Sequence, residues 1–160
     1  MIKPLVFIVA LFLLSCKTST YYIVRHAEKE TSTMTTDVAL SQAGRTRAIA
    51  LKDALPSGIH AIYSTNFART RATIQPYIDA NPGQTLRLYS SDSLSYYIDQ
   101  WKMLRGKTII VGHSNTVDDI VNGLTGRHLP ENLPDSQYGD LFIVTIKRKK
   151  AALKKRHFGL

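Results

Sequence analysis

Short apolar runs alternate along the chain with longer stretches in which apolar residues recur every three or four positions. The short runs are typical of buried strands, and the longer spacing is typical of amphipathic helices. Five strands are predicted: Tyr21 to Val24, Ala61 to Ser64, Leu86 to Tyr89, Thr108 to Gly112 and Asp140 to Ile146. Strands that alternate with helices predict a three-layer α/β domain with a mainly parallel sheet and helices on both faces.

The helices between these strands are bounded by recognisable start and stop residues. The first is predicted from Ser41 to about Leu55, since Ser41 can cap it and a Pro-Ser-Gly sequence follows. The second is predicted to begin at Asn66 as its N-cap. The third should run over 117–124, before a glycine at 126. After the fifth strand, a turn over 148–150 and a return strand over 151–158 are expected at the sheet edge.

The first residues of the chain are typical of an export signal. An apolar stretch of ten residues, 5–14, follows Lys3 and is too short to span a bilayer about 30 Å thick. The single cysteine, Cys16, comes directly after Leu-Leu-Ser, which resembles the lipobox of bacterial lipoproteins. The resemblance implies a signal peptide over 1–15, a lipid anchor on Cys16, a polar tether over 16–20 and a domain over 21–160. The protein would then be extracytoplasmic, held on a membrane of the bacterial cell envelope. The alternative is an ordinary buried cysteine.

Positive charge is concentrated near the end of the chain. The formal net charge is +9, and basic residues fill 147–150 and 154–156. Lysines on an edge strand discourage edge-to-edge pairing, so we interpret these residues as a solvated sheet edge and expect no nucleic-acid partner. The alternative is a polyanion site. A basic face would also attract anionic lipid or phosphorylated substrates.

Two histidines and two arginines follow the predicted strands. Arg25 and His26 come after the first strand, Arg69 lies just past the second, and His113 follows the fourth. Parallel strands place such residues at one edge of the sheet. A neutral imidazole is a competent nucleophile near pH 7, and attack on a phosphoryl group would give a phosphohistidine.

A phosphoryl group under attack needs fixed donors around its oxygens, and arginine can hold two oxygens at once. His26 is therefore the candidate nucleophile, with Arg25, Arg69 and His113 as the cage. Backbone donors at the helix start near Asn66 would add to it.

Four motifs in this order resemble the histidine phosphatase superfamily, also called phosphoglycerate mutase-like, over about 21–159. They are Val24-Arg25-His26-Ala27-Glu28-Lys29, Leu40-Ser41-Gln42-Ala43-Gly44, Ser64 through Arg69 to Thr73, and Val111-Gly112-His113. The resemblance implies a phosphatase that needs neither metal nor cofactor and acts on a small phosphorylated substrate. It also implies that His26 is phosphorylated in the cycle and that Arg25, Arg69 and His113 bind the phosphoryl group.

The chain departs from larger relatives after the third strand. Those relatives carry a long insertion with an acidic proton donor, whereas this chain has only the short segment 90–95 before a helix. Mutase activity is therefore not expected, and the general acid is left open between Glu28 and Asp92. The expected substrate is a phosphomonoester or phosphohistidine, and for an extracytoplasmic protein the phosphomonoester is preferred. The alternative function is a non-catalytic, membrane-anchored module that binds phosphate or a polyanion.

Overall fold

The computed structural model describes residues 18–31, 37–129, 133–134 and 136–159. Its strands are β1 (Thr18–Arg25), β2 (Ile59–Thr65), β3 (Leu86–Tyr89), β4 (Gly106–Gly112), β5 (Asp140–Lys147) and β6 (Lys150–His157). Its helices are α1 (Gln42–Ala54), α2 (Ala68–Asp79), α3 (Leu94–Met103) and α4 (Val117–Thr125), with a short 3₁₀ turn at Ser91–Ser93. The predicted lipid site at Cys16 lies outside the described residues.

The six strands form one sheet in the order β3-β2-β4-β1-β5-β6. The four strands from β3 to β1 are parallel to their neighbours, whereas β5 and β6 run antiparallel. The prediction of a mainly parallel sheet is therefore confirmed. Parallel pairing brings the carboxyl ends of β1, β2 and β4 to one edge of the sheet, which we call the carboxyl end; the opposite edge is the amino end.

Helices cover both faces of this sheet, as predicted. In β4 the side chains alternate, so that Ile110 packs with α3 and α4 while Ile109 and Val111 pack with α1 and α2. Trp101 of α3 is fully buried in the first of these two cores. Because β4 is buried on both faces, its residues Ile109, Ile110 and Val111 form a continuous apolar run in the sequence. No helix in the described part of the chain is long and apolar enough to cross a membrane.

Two local predictions were wrong. The predicted tether reaches into the sheet, because Thr18, Ser19 and Thr20 belong to β1, and the buried Ser19 hydroxyl donates to the Leu104 carbonyl at 2.7 Å. Asn66 is not the N-cap of α2. The cap is the next residue along, and the first helical amide is satisfied from a distant loop, since Ala68 N–H donates to Asp37 Oδ1 at 2.6 Å.

The predicted cap of α1 is confirmed, since the Ser41 hydroxyl accepts the Gly44 N–H at 3.1 Å. The glycine is required because a Cβ at position 44 would collide with the Glu28 carbonyl oxygen. That same carbonyl accepts the Ser41 N–H at 2.9 Å. The start of α1 is therefore bound directly to the segment that follows β1, which carries His26.

Candidate active site

The ends of β1, β2 and β4 bring the two predicted histidines together. Arg25 pairs with Gly112 across the sheet, and the His26 N–H donates to the Gly112 carbonyl at 2.9 Å. The rings of His26 and His113 stand edge-on with their centroids 5.4 Å apart. A glycine is required at position 112, because a Cβ there would lie 2.7 Å from the Thr116 hydroxyl, which accepts the His113 N–H.

The two histidines line a cavity of about 290 Å³ together with both predicted arginines. Its lining residues are Arg25, His26, Lys29, Phe67, Arg69, Ser91, His113, Ser114 and Asn115. Five positive or potentially positive side chains therefore converge here, and the lining contains no carboxylate. A cavity with this lining favours the binding of an anion.

The His26 ring is held in one tautomer. Its Nδ1 lies 2.8 Å from the Ala27 carbonyl oxygen, which can only accept, so Nδ1 carries the proton and Nε2 carries the lone pair. The Ala27 amide is fixed in turn by the Thr73 hydroxyl at 2.9 Å, and that hydroxyl donates to the Arg69 carbonyl at 2.7 Å. The threonine of the third motif thus ties the nucleophile segment to α2.

A chain of hydroxyl groups orients the second histidine. His113 Nε2 lies 2.9 Å from Thr65 Oγ1, which lies 3.0 Å from Thr70 Oγ1. The Thr70 hydroxyl donates to backbone carbonyls, at 3.0 Å for Thr65 and 2.9 Å for Phe67. Since its single proton is used there, Thr70 accepts from Thr65, and Thr65 accepts from His113. His113 therefore carries its proton on Nε2 and, when neutral, a lone pair on Nδ1.

Both imidazoles are neutral at physiological pH in the unliganded protein. Burial lowers the pKa of His26 to about 3, and its bond to the Ala27 carbonyl opposes this shift only in part. Burial likewise lowers the pKa of His113 to about 4, helped by the charges of Arg69 and Arg25. The His26 Nε2 lone pair is therefore available for nucleophilic attack.

The loop before β5 holds Arg25 in place. Its guanidinium donates to the Pro134 carbonyl at 2.9 Å and lies 4.3 Å from the centre of the Tyr138 ring. Arg25 is only 7% exposed. A planar cation held by a carbonyl and an aromatic face keeps its position.

The hydrogen-bonding groups of Arg69 have fewer partners in the described part of the protein than those of Arg25. Its guanidinium lies 4.4 Å from the centre of the Phe67 ring, and its Nε is buried with no hydrogen-bond partner within the described residues. Burial lowers the pKa of Arg69. A buried cationic donor without a partner is costly, so the site favours a bound anion that supplies the missing acceptor.

Glu28 lies outside this cavity because α1 holds it. Its carboxylate accepts Arg47 Nε at 2.8 and 3.0 Å, and Arg47 Nη2 lies 2.8 Å from the same group. Burial alone would raise the pKa of Glu28, but the hydrogen bonds and charge of Arg47 outweigh it and lower the pKa. A carboxylate held in this way keeps its charge near neutral pH, and this does not suit a general acid.

Asn66 and Asp92 line a second cavity of about 520 Å³ next to the first. The two cavities share Phe67 and Ser91. Asp92 is exposed in the 3₁₀ turn, and its amide donates to the Ser90 hydroxyl at 3.3 Å. Of the two acids considered from the sequence, Asp92 is thus the one placed beside the histidines' cavity.

The residues that position the site were missed by the sequence analysis. Thr65 and Thr70 were not singled out, and neither was Tyr138 or Lys29. The position of Thr65 directly after the predicted strand that ends at Ser64 and the position of Lys29 at the end of the first motif were available signals. The part of the chain that the structure describes contains no group of three or more His, Cys, Asp or Glu residues able to hold a metal ion.

Residues 21–95 match the family described as histidine phosphatase superfamily (branch 1). The match supports the predicted superfamily over these residues. The match covers the Arg25-His26 and Arg69 motifs, and His113 lies beyond it. No curated protein sequence shows significant similarity to the chain.

Several solved structures share the fold over most of this chain. The protein histidine phosphatase SixA, solved with tungstate, is 13% identical, with a TM-score of 0.72 over 86% of this chain and 96% of its own. A phosphoglycerate mutase from Plasmodium falciparum is 14% identical, with a TM-score of 0.59 over 89% and 91%. A phosphoserine phosphatase from Entamoeba histolytica, solved with phosphoserine, is 12% identical, with a TM-score of 0.57 over 88% and 96%.

These likenesses confirm the phosphoglycerate mutase-like fold predicted from the sequence. The three proteins are named for different reactions, so the shared fold does not by itself decide the substrate. The family match over 21–95 agrees with phosphatase chemistry at this site.

Proposed function

We propose that the protein is a metal-independent phosphatase that hydrolyses a phosphomonoester through a phosphohistidine on His26. The observation that carries this proposal is the pair of neutral, tautomer-fixed histidines facing a cavity with two arginines and no carboxylate. A neutral nucleophile surrounded by fixed cations suits attack on an anionic phosphoryl group.

In the first step His26 Nε2 attacks phosphorus, a nitrogen–phosphorus bond forms, and the bond to the leaving oxygen breaks. Arg25 and Arg69 donate to the phosphoryl oxygens as negative charge spreads over them. His113 joins them only after its Nδ1, which carries a lone pair in the neutral ring, has taken up a proton as the phosphate binds. In the second step water attacks the phosphohistidine, which releases inorganic phosphate and returns His26 to its neutral form. No redox change and no further reactant is required.

The leaving alcohol would lie in the adjacent cavity of about 520 Å³. Aromatic groups and hydroxyl groups both line it, including Phe67, Tyr97 and Ser90, so it suits a small organic group with some polar character. We assign Asp92 as the acid that protonates the leaving oxygen, since Glu28 is bound to Arg47. Asp92→Asn should then slow hydrolysis of an alkyl phosphate more than that of an aryl phosphate, whose leaving group needs less acid help.

The test of the reaction uses the chain from Thr18 onward, which contains every described strand and helix. It would be incubated with p-nitrophenyl phosphate and EDTA over the pH range 4 to 8, beside His26→Ala and the control His128→Ala, whose histidine is exposed and outside the cavity. We expect chelator-resistant turnover that falls by at least about 10³-fold in His26→Ala and is unchanged in the control. Acid-labile labelling of the wild type, absent in His26→Ala, would identify the phosphohistidine.

Phosphate binding without turnover at any pH would contradict the proposal and favour the non-catalytic module. Turnover that survives His26→Ala would rule out the nucleophile. Turnover lost with EDTA and restored by a metal would rule out the metal-independent reaction.

We also propose that the protein is a lipoprotein of the bacterial cell envelope, anchored through Cys16. The Leu-Leu-Ser sequence before the only cysteine and the apolar stretch over 5–14 support this location. Expression of the full chain with radiolabelled palmitate should label the wild type and leave Cys16→Ser unlabelled. Equal labelling of both, or of neither, would contradict the anchor.

A further inference from the structure

The amino end of the sheet carries a group of exposed basic side chains far from the active site. We call this group the basic end; it consists of Arg105, Lys147, Arg148, Lys149 and Lys150, all exposed. The strands rise about 3.3 Å per residue, so the eight-residue β1 separates the basic end from the carboxyl end by about 25 Å.

The start of β1 lies between the two parts of the basic end. Thr18 pairs with Lys147 on one side, and Ser19 pairs with Gly106, which follows Arg105, on the other. The chain therefore leaves the described fold towards Cys16 at the centre of this basic group.

Few acidic side chains oppose this charge. From residue 141 to the end of the chain there are seven lysines and arginines and no aspartate or glutamate. Towards the same end, Asp53 pairs with Lys52 at 2.9 Å and Asp99 pairs with Lys102 at 3.0 Å, so both carboxylates already have cations beside them.

An apolar side chain stands beside the cations. Met103, at the end of α3, is 73% exposed, two positions before Arg105. An exposed apolar group flanked by basic side chains suits the headgroup region of a bilayer, where the apolar group enters the acyl boundary and the cations meet lipid phosphates.

We propose that the basic end docks on an anionic phospholipid surface, with the cavity at the carboxyl end facing away from it. A membrane fits better than nucleic acid because the charges surround the point at which the chain runs towards its expected lipid anchor. A basic patch is a common second signal beside a lipid anchor. The docking itself involves no residue of the active-site cavity and does not depend on the reaction.

Sedimentation with vesicles tests the proposal on the chain from Thr18 onward, which lacks the anchor. Vesicles of phosphatidylcholine with about 30 mol% phosphatidylglycerol would be compared with pure phosphatidylcholine at low and physiological salt. We expect binding to the anionic vesicles only, weakened by salt.

Paired variants locate the contact. Arg148→Asn/Lys149→Gly removes two charges from the basic end, and Lys154→Gln/Arg156→Gln removes two from β6 nearer the carboxyl end. Since a basic residue near an anionic surface contributes about 1 kcal/mol, the first variant should bind about 30-fold more weakly. The second should bind within about threefold of wild type, because its charges lie farther from the surface. Equal losses would overturn the proposal.

The orientation has its own readout. The chain from Thr18 onward has no cysteine, so a single polarity-sensitive dye can be placed by Met103→Cys or Asn115→Cys. The dye at position 103 should shift to the blue on anionic vesicles, and the dye at position 115, on the cavity, should not. The reverse pattern, equal binding to neutral vesicles, or tighter binding to duplex DNA than to anionic vesicles at the same salt would each overturn the proposal.

Discussion

The two ends of the sheet both gather positive charge, but they hold it in opposite ways. At the carboxyl end Arg25 is 7% exposed and Arg69 has a buried Nε without a hydrogen-bond partner among the described residues. At the amino end the side chains of Arg148 and Lys149 are exposed on a turn. Cations that are buried and fixed can select one small anion, whereas exposed and mobile ones attract an extended anionic surface.

The comparison shows that charge alone does not define a phosphate site. What distinguishes the carboxyl end is that other groups already fix the positions of its cations. The Tyr138 ring and the Pro134 carbonyl hold Arg25, and the Phe67 ring supports Arg69. Preorganised donors of this kind stabilise charge in a transition state without moving at the moment of reaction.

Apart from the loss of the nucleophile itself, the largest expected effect is at Arg69. Arg69→Gln should lower kcat/KM for p-nitrophenyl phosphate by about 10²–10³-fold, because it removes a fixed donor to the phosphoryl oxygens. Arg71→Gln, on the same helix but exposed and outside the cavity, is the matched control and should keep its activity. Similar losses in the two variants would mean that both arginines act only through long-range charge.

The next effect concerns stability against pH. His26 and His113 are neutral in the fold, with pKa values of about 3 and about 4, whereas histidines in the unfolded chain have a pKa near 6.5. Between these values the unfolded state binds more protons, so the free energy of unfolding falls as the pH falls. From pH 8 to pH 5 each histidine should contribute a loss of about 2 kcal/mol.

Urea unfolding of the wild type, His26→Gln and His128→Gln at several pH values measures this loss. His26→Gln should show a weaker pH dependence, and the exposed control His128→Gln should match the wild type. An unchanged pH dependence in His26→Gln would show that this ring titrates normally in the folded protein.

A smaller effect is expected at Thr65, which positions His113 without lining the histidines' cavity. Thr65→Val removes the acceptor for His113 Nε2 and should lower kcat about tenfold or somewhat more, as removal of an orienting partner commonly does. Thr65→Ser keeps the hydroxyl and should restore most of the activity. Nitrogen NMR of His113 should show the Nε2-protonated tautomer in the wild type and in Thr65→Ser, and a mixture in Thr65→Val. An unchanged tautomer in Thr65→Val would rule out the positioning role.

The smallest effect belongs to the amino end. Arg148 and Lys149 form a two-residue hairpin turn with φ values of 49° and 65°, a region that asparagine and glycine adopt more readily. Arg148→Asn/Lys149→Gly should therefore raise the free energy of unfolding by about 1 kcal/mol and leave kcat unchanged. Thermal unfolding and p-nitrophenyl phosphate assays together check this. A loss of stability would show that the Arg148 and Lys149 side chains make contacts that stabilise the fold by more than the backbone strain destabilises it.

Much of the fold could be predicted because its signals are local. The apolar runs of β3 and β4 and the Ser41 cap are each contained in a few neighbouring residues. The error at 18–20 has a physical reason. Polar residues can lengthen the end of a buried strand when neighbouring strands on both sides form hydrogen bonds with their backbone. Here Ser19 is paired with β4 and β5 at once.

The site was predictable only in part. His26 and His113 each follow an apolar run, so their convergence at one sheet edge could be inferred from the sequence. The groups that hold them could not, because they come from distant segments. Thr65 is 48 residues from His113, and the Pro134 carbonyl is 109 residues from Arg25. The ion pair between Glu28 and Arg47 could not be predicted either, because it depends on how α1 packs beside the carboxyl end of β1.

The central place of β1 bears on when the chain can fold. Val24 pairs with Val111 and Thr18 with Lys147, so the first strand finds both of its neighbours only after most of the chain has been synthesised. Such non-local pairing delays folding, because the cost of closing long loops precedes the gain from contacts. A chain exported as we propose would therefore stay unfolded while its leading segment engages the translocation machinery, and would close its sheet on the far side of the membrane.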